Sequence, residues 1–155
     1  MKQFCFILTI ICFLFLKPLS GQTNAALSQR LSSADLICEG TVSGVQSGWN
    51  HNHTMIYSQC QVEVHSRLSG SSSAVITFRY AGGKVGNEMI VSSVAPKINT
   101  GDECVFFFHN TNSGLEILPG NNGVIHIPAD GSVCCDGSAT YASAQELQQQ
   151  LAELS

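Results

Sequence analysis

The most regular pattern in the chain is an alternation of apolar and polar residues from position 56 to position 64. One set of alternate residues is Ile56, Ser58, Cys60, Val62 and Val64, and the other is Tyr57, Gln59, Gln61 and Glu63. A period of two is that of a β-strand with one face turned to a core. The pattern therefore predicts a half-buried strand.

Further strands are predicted on both sides of this run. Residues 35–45 form one, in which Gly40 and Gly44 weaken the strand unless they allow the sheet to bend. Residues 74–80 form another, and the nearly continuous apolar stretch at 103–108 predicts a strand through the middle of the core. Shorter strands are expected at 115–118 and 124–127, the second turning as a hairpin into 132–135, whereas residues 84–98 predict a pliable loop with a brief strand or turn.

Helical patterns occur only near the two ends of the domain. Residues 25–33 predict a short helix, with Leu27 and Leu31 on one face. Ser143 and Glu146 fit a capping box, and leucines then recur at spacings of four and three, which predicts an amphipathic C-terminal helix. The fold class is therefore mainly β, as a partly open barrel of five or six strands with a C-terminal α-helix.

The first 21 residues carry the pattern of a secretory signal peptide. A lysine at position 2 precedes 13 mostly apolar residues, and Ser20 and Gly21 are small residues suited to cleavage. The apolar run is shorter than the roughly 20 residues needed to cross a bilayer as a helix. We expect residues 22–155 to form one secreted or periplasmic domain.

This domain is acidic and poor in charge. It has five basic and eleven acidic residues, a net charge of −6. Nucleic acid and anionic lipid would both be repelled, so we expect no nucleic-acid partner and no membrane association after signal removal. A protein partner remains the expected class.

Three segments resemble a known group of proteins. They are residues 34–42, which open a strand, residues 79–86, with a Gly-Gly-x-x-Gly turn, and residues 101–108, which begin Gly-Asp-Glu. Together these segments resemble small exported bacterial domains with an OB-fold-like barrel, similar in architecture to the N-terminal domain of tissue inhibitors of metalloproteinases. The resemblance implies an OB-like fold and carries no catalytic signature.

The inhibitory mechanism of that family does not follow from the resemblance. Those inhibitors bind the enzyme's zinc through a cysteine at the mature N-terminus, whereas the new terminus here is expected near Gln22. The first cysteine after it is Cys38, inside a predicted strand. An accessory or inhibitor of an extracellular metalloprotease therefore stands as an alternative function.

His51 and His53 are the candidate metal ligands. Alternate histidines on an extended chain point the same way, but zinc usually takes three or four protein ligands. The opposing interpretation is a solvated loop between the first two strands. Asn52 begins an Asn-His-Thr sequon, which matters only in an organism that glycosylates exported proteins.

Five cysteines follow the signal peptide, and an odd number cannot all pair within one chain. Cys38, Cys60 and Cys104 lie in apolar runs that favour buried free thiols, although one or two disulfides remain an alternative. Cys134 and Cys135 are adjacent, so a strained disulfide between them would be redox-responsive. A pairing of Cys134 with His126 across the predicted hairpin is also conceivable.

No established catalytic motif is present, and we expect no enzyme activity and no cofactor. Trp49, Tyr57 and Tyr80 lie near strand ends, where they either cap the barrel or stack on sugars or bases, although the negative charge disfavours nucleic acid. The sequence thus predicts an exported, non-enzymatic protein-binding module. A metal- or redox-responsive domain is a further alternative.

Overall fold

The computed structural model describes residues 21–127, 133–135, 139–141, 149 and 152. The predicted signal peptide, residues 1–21, lies outside these residues except for Gly21. The predicted C-terminal helix also lies outside them, apart from Gln149 and Ala152.

One helix precedes a series of antiparallel strands. The helix, α1, spans Gly21–Ser33, which confirms and extends the predicted short helix. The strands are β1 (Leu36–Trp49), β2 (Ile56–Ser69), β3 (Val75–Ala81), β4 (Gly83–Val85), β5 (Glu88–Ile90), β6 (Glu103–Thr111), β7 (Gly114–Ile117), β8 (Val124–His126), β9 (Val133–Cys135) and β10 (Ala139–Tyr141). A single turn of 3-10 helix, Gly120–Asn122, lies between β7 and β8.

The main sheet has the strand order β10-β9-β8-β6-β1-β2-β3, and β7 pairs with the distal half of β6. The predicted mainly β class is confirmed. The sheet does not close into a barrel, because in the part of the chain that is described no ladder of hydrogen bonds joins β3 to another edge. Cα atoms of β3 and β7 nevertheless come within 8 Å of one another, so the sheet curls strongly.

Apolar side chains are buried on both faces of the curled sheet. On the inner face, Phe78 packs edge-on against Phe108 with ring centroids 5.2 Å apart, and Phe106 stacks beside Phe108. On the outer face, Phe107 belongs to a second cluster that Leu27 of α1 helps to cover. The predicted central strand at 103–108 is confirmed, and its continuous apolar run is explained because neighbouring residues enter opposite cores.

The glycines of β1 lie where the sheet bends. The pairing of β1 with β2 shifts register between Glu39 and Gly40 and again between Val42 and Gly44. Gly40 packs so closely on the backbone of Glu63 that a side chain would collide with its carbonyl group. These irregularities increase the local twist and allow one long hairpin to curl over the inner core.

Candidate binding surfaces

The segment between β3 and β6 contacts β2 near its start and β8 near its end. We call residues 82–98 the strap; it contains the β4–β5 hairpin, where Lys84 pairs with Met89. The brief strand predicted in this region is therefore confirmed. Pro96 and Ile98 at its end are buried, and Ile98 belongs to the inner core.

The first end of the strap is fixed to the β1–β2 hairpin by glycines. The Gly82 amide donates to the Ile56 carbonyl oxygen at 2.8 Å. Gly83, at φ +138°, approaches the Ser47 and Ser58 hydroxyls so closely that no side chain would fit. Both glycines adopt positive φ, which larger residues rarely tolerate.

The other end of the strap is fixed to the far side of the sheet. The Gly120 amide donates to the Val94 carbonyl oxygen at 2.9 Å, and Nε2 of His126 lies 2.8 Å from the Lys97 carbonyl oxygen. A carbonyl can only accept, so Nε2 carries the proton and donates. The strap is therefore held at both ends, and its outer side chains have a fixed backbone beneath them.

The outer side of the strap exposes large apolar side chains. Met89, Val91 and Val94 are 65%, 79% and 54% exposed, and we call these three residues the apolar rim. The other large apolar residue that is clearly exposed in the described ranges is Val75, at the start of β3. Clustering of exposed apolar residues, rather than single instances, marks an interaction surface.

A second surface lies on the outer face of β1, β2 and β3, beside the loop that joins β1 to β2. It is a groove of about 250 Å³ whose walls include Trp49, Tyr57 and Arg79. The guanidinium carbon of Arg79 lies 4.1 Å from the centroid of the Tyr57 ring, so the two side chains stack. Trp49 and Tyr57, named from the sequence, thus line one groove, whereas Tyr80 packs against the inner core.

Cys104 and His126 lie in contact although they are 22 residues apart in sequence, so no local motif predicts the pair. The Cys104 sulfur lies 3.5 Å from Nδ1 of His126, and an Asp102 carboxylate oxygen lies 3.8 Å from the same nitrogen. Burial, aided by the negative charge of Asp102, raises the pKa of the Cys104 thiol from 9.0 to about 12. A thiol that keeps its proton is a poor nucleophile.

The conceivable pairing of Cys134 with His126 is seen at the level of the backbone. His126 on β8 lies opposite both Cys104 on β6 and Cys134 on β9. Only the Cys104 contact is described, since the side chains of Cys134 and Cys135 fall outside the described part of the structure. The redox role of the Cys134–Cys135 pair stays a prediction.

His51 and His53 do not lie on an extended chain. Residues 51–54 form the turn between β1 and β2, where His53 adopts φ +52° and stacks on Trp49 at 5.9 Å between ring centroids. The Asn50 side chain organises this turn by accepting from the backbone amides of Thr54 and Met55. Metal binding by the two histidines stays a prediction. The extended backbone that would point both imidazole rings the same way is not present.

Within the ranges that the structure describes, no three His, Cys, Asp or Glu side chains are grouped closely enough to hold a metal ion. Among the same residues, no helix has the length and apolar character needed to span a bilayer. No protein-family model matches the chain, and no curated protein shows significant similarity to it.

Proposed function

We propose that the chain is an exported, non-enzymatic protein-binding module and that its apolar rim is the binding surface. The proposal rests on one observation. Three exposed apolar side chains, Met89, Val91 and Val94, lie close together in sequence on a strap that is hydrogen-bonded at both ends. An OB-like, partly open barrel related in architecture to metalloproteinase inhibitors is proposed as the fold that presents them.

Exposure of these side chains to water is unfavourable, and a partner would remove that cost. Burial of apolar surface stabilises association by about 25 cal/mol for each Å² removed from water. Because the strap is already anchored through Gly82, Gly120 and His126, little additional ordering is needed when a partner docks. A preformed apolar rim is therefore suited to specific binding.

The charge of the domain favours a protein over the other large partners. The net charge of −6 after residue 21 repels phosphate backbones and anionic headgroups. Glu88 lies next to the rim, whereas the basic residues of the strap, Lys84 and Lys97, lie well separated along the chain. An apolar patch with a polar surround is the usual composition of a protein interface.

The proposal is tested with charged substitutions on the rim. The double variant Val91→Asp with Val94→Asp introduces two carboxylates at exposed positions, and Val75→Asp introduces one at an exposed apolar position of β3. Tagged versions of each protein are incubated with the exported fraction of the source organism, and the proteins retained are quantified by mass spectrometry. We expect the rim variant to lose a retained partner by about tenfold or more, equivalent to ~1.4 kcal/mol, while Val75→Asp retains it.

Equal retention by all variants would count against the rim as the binding surface. Thermal unfolding of each variant provides the control for folding, since exposed substitutions usually change stability by less than about 0.5 kcal/mol. Extracellular metalloproteases are the partner class suggested by the resemblance. Slower substrate turnover when a metalloprotease is mixed with the protein, and normal turnover with the rim variant, would identify that class.

A further inference from the structure

We infer that the groove beside Trp49 binds a sugar that carries a carboxylate group. This site lies on the outer face of the β1–β2–β3 sheet and is separate from the apolar rim. The inference rests on the state of Arg79, on the polar residues in register with it, and on the size of the groove.

The guanidinium group of Arg79 is positioned by an aromatic ring and has no carboxylate partner within the described ranges. Its guanidinium carbon lies 4.1 Å from the centroid of the Tyr57 ring, a cation–π contact that restricts the movement of the charged group. Within the described ranges Arg79 makes no ion pair. On the same face of β2 the nearest carboxylate in sequence is that of Glu63, four residues beyond Gln59 and therefore about 13 Å away along the strand.

The positive charge of Arg79 is therefore not neutralised by any carboxylate in the described ranges. Planar guanidinium groups bind carboxylates through two parallel hydrogen bonds. Stacking on Tyr57 reduces the conformational freedom that Arg79 would otherwise lose on binding. The chemistry therefore points to a carboxylate as one part of the ligand.

Two amide side chains define the rest of the ligand. Gln46 on β1 lies opposite Gln59 on β2, and Gln59 lies opposite Arg79 on β3, so all three belong to one row across the sheet. Directly opposed residues of antiparallel strands point to the same face. An amide both donates and accepts, as a hydroxyl does, so this row matches a carboxylate next to several hydroxyl groups.

The dimensions of the groove suit a single sugar unit. Its volume of about 250 Å³ lies just below the roughly 300–1,000 Å³ that accommodate drug-sized ligands. The groove therefore suits a ligand smaller than these, such as one sugar ring. Gly48 contributes to the space, because a side chain built at this position would meet no other atom within 4 Å. Trp49 supplies an apolar wall at one end. A uronic acid, a six-membered ring with hydroxyls and one carboxylate, has the required groups.

The site contains its own reporter, since Trp49 is the only tryptophan in the chain. The fluorescence of the protein is measured during titration with glucuronate, with glucose as the neutral sugar and with glutarate as a dicarboxylate that lacks hydroxyls and carries one more negative charge than glucuronate. We expect a saturable change with glucuronate, and an affinity about tenfold or more above those for glucose and glutarate.

Two arginine variants test the assignment of the carboxylate contact. Arg79→Gln removes the charge in the groove, and Arg67→Gln removes an exposed arginine elsewhere on β2 that donates to Ser72. We expect Arg79→Gln to reduce glucuronate affinity to that of glucose and Arg67→Gln to leave it unchanged. Thermal unfolding of both variants checks that the fold is retained, and Arg79→Lys, which keeps the charge but loses the planar stacking group, is expected to bind with intermediate affinity.

Other outcomes would overturn the inference. No fluorescence change with glucuronate would show that the groove does not bind this sugar. Equal responses from the parent protein and Arg79→Gln would show that Arg79 does not bind the carboxylate. Glutarate binding as tightly as glucuronate would show a carboxylate site without sugar recognition, such as one for an acidic side chain of a protein, and would overturn the assignment to a sugar.

Discussion

At the scale of single residues, the cysteines illustrate how burial controls chemistry. Cys38, Cys60 and Cys104 are free, fully buried thiols, as the apolar runs around them favoured. Burial raises the pKa of Cys38 to about 11 and that of Cys60 to about 12, against an ordinary value of 9.0. The three thiols therefore act as small apolar side chains at neutral pH.

These pKa values predict a loss of stability at alkaline pH. Above about pH 9 the thiols ionise in the unfolded chain but keep their protons in the folded one, so each contributes stability that is complete below pH 9 and is lost as the pH rises through 11 to 12. The slope is about 1.4 kcal/mol per thiol for each pH unit. Urea unfolding between pH 8 and pH 11 measures it.

The variant Cys60→Ala provides the matched test, because it removes the contribution of one thiol to the slope. We expect the free energy of unfolding to fall less steeply with pH in this variant than in the parent protein. A pH dependence identical in the two proteins would show that Cys60 ionises equally in the folded and unfolded chains.

Alanine substitution is expected to have different effects on stability at two glycines of β1. A methyl group at Gly40 would collide with the carbonyl oxygen of Glu63 and with Val62, whereas one at Gly44 would meet nothing within 4 Å. We expect Gly40→Ala to destabilise the fold by about 1–3 kcal/mol and Gly44→Ala to change stability by less than about 0.5 kcal/mol. Urea unfolding of both variants decides, and equal effects would contradict the packing described for Gly40.

At the scale of elements, α1 packs on the outer face of the sheet through an unusual contact. Arg30 is 8% exposed, and its guanidinium carbon lies 6.0 Å from the centroid of the Phe107 ring. Its Nε and Nη1 atoms have no hydrogen-bond partner. A buried donor without a partner costs about 1–3 kcal/mol.

Replacement of Arg30 by an apolar residue of similar length should therefore stabilise the protein. We expect Arg30→Met to raise the free energy of unfolding by about 1–3 kcal/mol. Gln29→Met, on the exposed side of the same helix, serves as the control and should have little effect. If Arg30→Met instead destabilised the protein by more than the control, the guanidinium group would have to be paired in solution.

The sequence pattern predicted individual strands but not their arrangement in the sheet. Alternation predicted β2, and the continuous apolar run predicted β6, because both patterns record directly which faces are buried. The positions of Gly40 and Gly44 correctly predicted bending in β1. The order of strands and the open edge of the sheet did not follow, since they depend on pairings between distant segments that local patterns do not encode.

The candidate sites were harder to predict for the same reason. Trp49 and Tyr57 were named from their places near strand ends, but Arg79 joins them only through the register of β2 with β3. Of the two interpretations of His51 and His53, the structure shows the loop between the first two strands, because Asn50 stabilises a turn there. The side chain of Asn50, a residue with strong turn propensity, was the available signal.

At the scale of the whole molecule, the two surfaces have different chemistry and different supports. The rim is apolar and lies on a strap anchored by backbone hydrogen bonds, whereas the groove is polar and lies on the continuous β1–β2–β3 sheet. Substitutions in one surface should therefore leave the other intact. We expect Arg79→Gln to retain the proposed protein partner of the rim and the rim variant to retain the proposed glucuronate binding.

A photoreactive amino acid placed at single positions of the protein, in the cell that produces it, tests directly whether the apolar rim binds another protein. Position 91 lies in the apolar rim, and position 75 is an exposed apolar position of β3. After irradiation, cross-linked products are identified by mass spectrometry. We expect a defined cross-link to another protein from position 91 and none from position 75. Cross-links from position 75 alone, or from neither position, would show that the rim is not the binding surface.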